Sequence, residues 1–381
     1  MKKIAIIGAG ISGLFIANLF KKNSNYRITI YEKNSSVDLK EGYGIQLSVN
    51  SVKLLNQIGF NEFKNDKKFN PDKINFYSIH SSKKICDLNI SDFNSGECKY
   101  TTLKRSDLVD FLKTDLEDLI KTNYSISKID QKSKKIELTF KNNEIIECDY
   151  LIISDGVFSK SKRLISNNQT SLKFNNILAI RGMISRSSNV YDNKNISLFL
   201  GSDFHHVIYP VNKNGNFNFI ALMKYNLSIN DQKNYSLFND NDFIKKILGS
   251  IPKKSQKFFD EIEELKIFPV FVSDNFFKVE GHNIHLIGDA FFAFPPSFAQ
   301  GASQSIEGAY ELFEHIKNNR EGEFFKNRVN KTKMVNSRSK FNQFAFHLSN
   351  PLTRFIRDIF LKRLVKNKHF LESYLGKIYK N

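Results

Sequence analysis

A β-rich run, Lys3 to Ile7, leads straight into Gly8-x-Gly10-x-x-Gly13 near the N-terminus. A helical stretch follows to about Asn23, then a second β-rich run from Tyr26 to Tyr31, closed by Glu32. Few features constrain a fold more. This is a βαβ unit of about 30 residues, and each part has a physical job. Gly8 permits a tight turn, Gly10 lets a pyrophosphate approach the backbone, and Gly13 lets the helix pack close to the strand. The helix N-terminus, at Ser12, offers free N–H groups to phosphate. Glu32, 19 positions after the last glycine, can accept hydrogen bonds from both ribose hydroxyls, with Lys33 beside it. A competing reading takes Lys2-Lys3 and the apolar-rich Ile4–Phe20 as a signal peptide. The embedded glycines, and Lys21-Lys22 in place of a small-residue cleavage site, favour dinucleotide binding.

Two further stretches read as strand ends carrying an acid. Cys148–Ser154 is a β-rich run ending in Asp155-Gly156, and Ile284–Ile287 ends in Gly288-Asp289. After the second come Pro295-Pro296, Gln300-Gly301-Ala302 and a helical pattern from Ser303. Carboxylates at the C-terminal ends of parallel strands face the ligand crevice. Asp289 would reach a ribityl hydroxyl, and the turn after it a flavin ring edge. At 381 residues the chain is long enough for two or three domains. Its three cysteines, without C-x-x-C spacing, argue against a disulfide framework or a cysteine zinc site and fit a reducing compartment. The net charge of +18 favours polyanionic partners in general, a phosphate-bearing cofactor among them, and is silent about fold.

Taken in order, these motifs resemble the single-component FAD-dependent aromatic hydroxylases, of the para-hydroxybenzoate and salicylate hydroxylase type. Besides the fingerprint with Glu32, the chain has Gly42-Tyr43-Gly44-Ile45-Gln46-Leu47 with Asn50, similar to the family's stretch beside the flavin. Arg105-Ser106-Asp107-Leu108 is similar to the segment whose arginine lies along the FAD. Asp155-Gly156 matches the D-G motif, implicated in FAD and NAD(P)H contact. Gly288-Asp289, Pro295-Pro296 and Gly301-Ala302 match the G-D motif and the turn against the isoalloxazine. There are departures. Ser154 stands where alanine is usual, Lys162 where arginine is usual (Arg163 is one step late), and Phe292 where histidine is usual. Trp is absent, which counts against the flavin-dependent halogenases of the superfamily.

The resemblance implies an α/β fold of GR2-like, para-hydroxybenzoate hydroxylase type: a Rossmann-type FAD-binding domain, an inserted antiparallel β-sheet substrate domain and C-terminal helices. FAD-binding parts are expected at 1–74, 101–170 and 271–330, substrate-sheet parts at 75–100 and 171–270, and basic amphipathic helices at 331–381. Ile177–Ile184, Ile196–Leu200, His205–Val211 and Asn216–Met223 read as strands, with a hairpin turn at Asn214-Gly215 and strands from Asn75–Leu88 added to the same sheet. His205 with Tyr209-Pro210 resembles the family's H-x-x-x-Y-P run, in which the histidine can face the pocket, and Arg181-Gly182 resembles a segment next to it. Each has a plain alternative, a satisfied strand histidine and a surface arginine.

The activity implied is hydroxylation of a small phenol or aromatic acid by O₂ through a flavin C4a-hydroperoxide, with NADH or NADPH as transient electron donor. His205 is then the candidate base. A flavin reductase or dehydrogenase without oxygen insertion stays open, as does a peripheral-membrane hydroxylase of quinone synthesis. A nucleic-acid-binding role is not expected with cofactor motifs intact. The last 51 residues hold 12 Lys or Arg against 2 Asp or Glu. There Leu352, Phe355, Ile356, Ile359, Phe360 and Leu364 recur at helical spacing among basic residues. That helix either lies on an anionic membrane or packs on the flavin domain with a solvated basic face. A cytoplasmic monomer or homodimer, soluble or peripheral, is expected.

Overall fold

The computed structural model describes residues 1–37, 43–132, 135–167, 172–185, 192–281 and 283–379. Lys2–Ile7 and Tyr26–Tyr31 form the expected βαβ unit around helix Ile11–Lys21, in parallel register with Ile4 beside Ile28 and Ile7 beside Tyr31. They sit inside a five-stranded sheet in the order Ile284–Leu286, Tyr150–Ile153, Lys2–Ile7, Tyr26–Tyr31, Ile120–Lys121. Ile4, Ala5, Ile6 and Ile7 are all buried, as a parallel sheet covered on both faces requires. One cover is helix Gly301–Lys317, packed on Ile11–Lys21 through Leu14, Phe20, Leu312 and Phe313, with the two phenylalanine rings edge to face at 5.0 Å.

The run expected over Cys148–Ser154 is two strands, not one. Ile145–Cys148 belongs to a three-stranded antiparallel sheet with Ile136–Phe140 and Ile126–Gln131, while Tyr150–Ile153 joins the parallel sheet. The chain changes sheets at Asp149, whose carboxylate accepts from the Lys3 N–H at 2.7 Å and Lys135 Nζ at 2.6 Å.

The inserted sheet is a seven-stranded roof ordered Glu263–Ser273, Leu172–Ile184, Phe217–Lys224, Phe204–Pro210, Ile196–Leu200, Lys73–Ser78, Lys84–Asn89. It is antiparallel except where Ile196–Leu200 runs parallel to Lys73–Ser78. The hairpin falls at Asn214-Gly215: Gly215 takes φ +81°, and Asn212 Oδ1 accepts the N–H groups of Asn214 and Asn216. A small antiparallel sheet of Gly44–Leu47, Thr101–Lys104 and Lys68–Phe69 completes the β-structure that positions the site.

Helices Glu321–Phe346 and Pro351–Leu364 close the chain with short turns to Tyr379. The second corrects the expectation of a helix on the flavin domain with a basic outer face. It packs on the Lys84–Asn89 edge of the roof, and its apolar residues Leu352, Phe355, Ile356 and Phe360 point to solvent. Among the described residues no helix is long and apolar enough to cross a membrane.

Candidate active site

The fingerprint glycines divide their labour as their positions require. Gly8 has φ +99°, and a Cβ there would stand 2.7 Å from the Ser154 carbonyl oxygen. A Cβ on Gly13 would meet the Gly8 oxygen at 2.1 Å, so helix and strand can approach only without one. A Cβ on Gly10 would meet nothing within 4 Å, the open side a diphosphate needs. Ser154, the departure from alanine, shares its hydroxyl proton between the Ile7 and Gly8 oxygens at 2.9 Å each and so ties the D-G strand to the turn. Glu32 is buried at the strand end, its carboxylate accepting from the Ala9 and Asn34 N–H groups at 3.0 Å each; Lys33 beside it is exposed. Gly288, with φ +60°, lies so close to Ser12 that a Cβ would be 2.5 Å from Ser12 Oγ. The fold thus brings the first and last cofactor motifs together.

A cavity of about 640 Å³, lined by Asp289 next to Gly288, opens between the parallel-sheet domain and the roof. Its floor is Gly44, Ile45, Arg105, Asp289 and the turn Pro295–Ala302. Asp289 keeps open surface and lines the cavity. Burial raises its pKa, and the nearby Arg105 guanidinium opposes the rise. Gly301 opens helix Gly301–Lys317 with nothing within 4 Å of its Cβ position. In the same turn Ser297 Oγ and Gln300 Nε2 are buried without partners. A backbone cradle with a ribose acceptor bonded at Ala9, the Gly288 turn packed against Ser12, and Asp289 with the unpartnered Ser297 hydroxyl in the cavity lining are the set an FAD molecule would satisfy. The residues fit the cofactor.

Several predicted residues also have partners within the protein itself. Gly44 is small because the roof presses on it: its N–H donates to Asn218 Oδ1 at 2.6 Å, and a Cβ would lie 2.6 Å from that of Asn218. Asn50 holds Glu307 Oε2 at 2.6 Å and so joins two helices. Asp155 Oδ2 accepts from Ser161 N and Oγ at the start of helix Lys160–Ile165, while Oδ1 is buried without a partner and Gly156 takes φ +82°. Lys162 is buried, its Nζ 3.5 Å from the Phe291 oxygen, and burial pushes its pKa down to about 8. Phe292 stacks on Phe276 at 4.4 Å inside the core, which explains how the usual histidine can be dispensed with. Gly42 lies outside the described residues.

The roof face of the cavity carries His205, Val207 and Tyr209 at strand spacing, with Arg181, whose guanidinium lies 5.9 Å from the Tyr43 ring centroid. His205 Nδ1 is 2.7 Å from His347 Nε2, and burial holds the His205 ring well below its ordinary pKa. His206 points the other way, stacked on Phe199 at 4.5 Å, with both ring nitrogens unpartnered. The far wall was missed in the sequence: Phe341, Leu361, Leu364, Val365, Phe370 and Tyr374, all from the C-terminal helices. Its signal is present, since Leu361 and Val365 stand at helical spacing beside Leu364, itself part of the stripe read from the sequence.

Among curated relatives, the chain is 26% identical over 163 residues to 6-hydroxynicotinate 3-monooxygenase of Pseudomonas fluorescens, covering 42% of this chain and 41% of that protein. The chain thus spans about two fifths of the length of the 6-hydroxynicotinate 3-monooxygenases it matches. It is 22% identical over 342 residues to a salicylate hydroxylase of Pseudomonas putida, covering 81% of this chain and 75% of that one. Among solved structures, Klebsiella pneumoniae HpxO complexed with FAD and uric acid superposes with a TM-score of 0.84 at 16% identity, over 98% of this chain and 97% of that one. A salicylate hydroxylase substrate complex superposes with a TM-score of 0.79 at 18% identity, over 100% of this chain and 95% of that one. The fold is therefore the aromatic-hydroxylase architecture that the sequence resembles. A sequence profile described as an FAD binding domain matches residues 1–324, from the fingerprint through the G-D motif and the helix after it, and the chain belongs to that FAD binding domain family.

Proposed function

We propose that this protein is an FAD-dependent monooxygenase that uses NADH or NADPH and O₂ to hydroxylate a small phenolic or carboxylated aromatic ring. The observation that carries this reading is the continuity of the cavity. Arg105, Asp289 and Pro295–Ala302, where the flavin would lie, share one space with His205, Tyr209 and Arg181 on the roof. A ring held under the roof would face the flavin with no protein between. The names of the relatives, hydroxylases and monooxygenases of aromatic compounds, support the same reading.

FAD, when bound, supplies the redox chemistry, accepting hydride from the nicotinamide and passing electrons to O₂. The chain's own residues bind, orient and exclude water. Gly8, Gly10, Ser12 and Gly13 would cradle the diphosphate, Glu32 the ribose, Arg105 the length of the cofactor, and Asp289 the ribityl chain. Phe268, Phe294 and the C-terminal wall keep the reaction space apolar, which limits loss of the activated oxygen to water. Arg181 offers a cation to a carboxylate or phenolate. His205 is uncharged at neutral pH, and its bond to His347 fixes the ring, so it would act as an oriented hydrogen-bond partner for a phenol proton.

The test is direct. Purified protein should be yellow or become so with FAD, and a panel of phenols and aromatic acids should stimulate NAD(P)H oxidation with matching oxygen consumption. Stimulation without oxygen consumption would replace this reading with an oxygen-independent reductase. A protein that holds no FAD would remove both.

A further inference from the structure

Helix Pro351–Leu364 turns Leu361 and Leu364 inward but leaves its longer apolar stripe facing out, where an ordinary surface helix turns its stripe to the core. Leu352, Phe355, Ile356 and Phe360 fall on one side, at i, i+3, i+4 and i+8, and are 65%, 63%, 42% and 57% exposed. The opposite side turns charges inward. The Arg357 side chain is 8% exposed, pairs with Asp358 at 2.8 Å and donates to the Ala345 oxygen at 3.3 Å. Arg354 donates to Ser202 Oγ at 3.0 Å. Asn350 fixes the start of the helix by accepting from Leu352 N at 2.9 Å. The arginine contacts hold the helix in this rotation, with its apolar stripe outward.

Charge decides what suits the stripe. Lys362 and Arg363 are exposed at its C-terminal end, and exposed Lys366 and Lys368 follow. Between Phe341 and Leu371 the single acid is Asp358, already paired with Arg357. Phe341 and Phe344, near the end of the preceding helix, add two more exposed rings at 56% and 67%. Exposed Phe and Leu, flanked by lysine and arginine with no free carboxylate, are the composition of a helix that lies in a lipid interface. A protein partner would have to match six scattered apolar side chains and a row of cations with a complementary surface of its own. A bilayer needs no such match: acyl chains accept any apolar ring, and lipid phosphates accept any cation.

We propose that this face docks on an anionic lipid bilayer, its apolar stripe entering the boundary between headgroups and acyl chains. The same helix gives Leu361 and Leu364 to the cavity, so the docked face and the cavity wall are parts of one element.

FAD-loaded full-length protein is floated with vesicles of phosphatidylcholine alone and of phosphatidylcholine with about 30% phosphatidylglycerol. Binding is expected to the anionic vesicles, to be weak on the neutral ones, and to fall at about 0.5 M NaCl. The triple change L352S/F355S/F360S should weaken it about tenfold or more while flavin content and Tm stay put. Should the triple variant misfold, F355S alone carries the test with an expected loss of about threefold. Wild-type protein that ignores anionic vesicles, or serine variants that float as well as wild type, would overturn the proposal. So would a wild-type dimer that the triple variant dissolves in sedimentation velocity without any vesicle binding, which would assign the face to a second copy of the chain.

Discussion

Replacing Lys162 with methionine should make the protein more stable, although it removes a charged residue from a cofactor motif. The ammonium is buried beside Asp155 and the Phe291 carbonyl, and its pKa falls from the ordinary 10.5 to about 8. Burial is the larger influence and Asp155 opposes it. At about 1.36 kcal/mol per pH unit, that difference corresponds to roughly 3 kcal/mol of destabilisation by the charged form. Methionine has a similar length and no charge, but it abandons a long hydrogen bond, which returns about 1 kcal/mol. The net expectation at pH 7 is a gain of about 2 kcal/mol for Lys162→Met. The pH dependence is sharper still. Below about pH 8 the folded and unfolded chains both carry the proton, and the whole penalty is present. Between about 8 and 10.5 the unfolded chain holds a proton that the folded chain has released, so wild-type stability rises and the gap to the variant closes. Urea unfolding of both proteins, FAD-saturated, at pH 7, 8.5 and 10 reads the gap directly. A variant less stable at pH 7, or a gap that does not change with pH, would refute the reasoning.

Three further outcomes follow from the site. His205→Ala should slow hydroxylation about 100-fold in kcat while the flavin-to-protein ratio stays constant; unchanged turnover would remove the residue from the reaction. Glu32→Ala removes the acceptor held by Ala9 and Asn34 and should weaken FAD binding about tenfold, read by flavin fluorescence titration, with the folded structure intact by circular dichroism. The His206 ring, buried between aromatic rings, has a pKa lowered to about 3, so only the unfolded chain takes up its proton as pH falls below 6.5. That uptake should erode stability by on the order of 3 kcal/mol towards pH 4, and His206→Phe should flatten this acid limb of the urea-midpoint profile.

How much of this could be read from the sequence depends on how local each cause is. Strands Tyr26–Tyr31 and Ile196–Leu200 fall where alternation and β-branching place them, because each is flanked by its own turn residues. Gly8 and Gly13 were legible because a tight turn and a close helix leave no room for a side chain. The break at Asp149 was not, since the residues on both sides favour strand and the decision rests with Lys3, 146 positions away. At Gly44 the motif shows a place in the cavity lining but not the pressure of Asn218, on a strand 174 residues later. The direction of the apolar stripe on helix Pro351–Leu364 stays open in the sequence for a different reason. An apolar stripe states that something covers it, and says nothing about whether that cover is the same molecule.

The far wall of the cavity, from Phe341 to Tyr374, lies wholly after the stretch that matches the family, residues 1–324. The cofactor motifs and the roof are therefore written in the family-matched stretch, and the remaining wall of the chamber in a separate part of the chain. Volume-conserving exchanges among Leu361, Leu364, Val365 and Phe370 leave the fingerprint, Arg105 and Asp289 untouched. Drift in the last helices can thus redirect what the chamber admits while the cofactor motifs stay fixed. For an engineer, those helices are the part to graft.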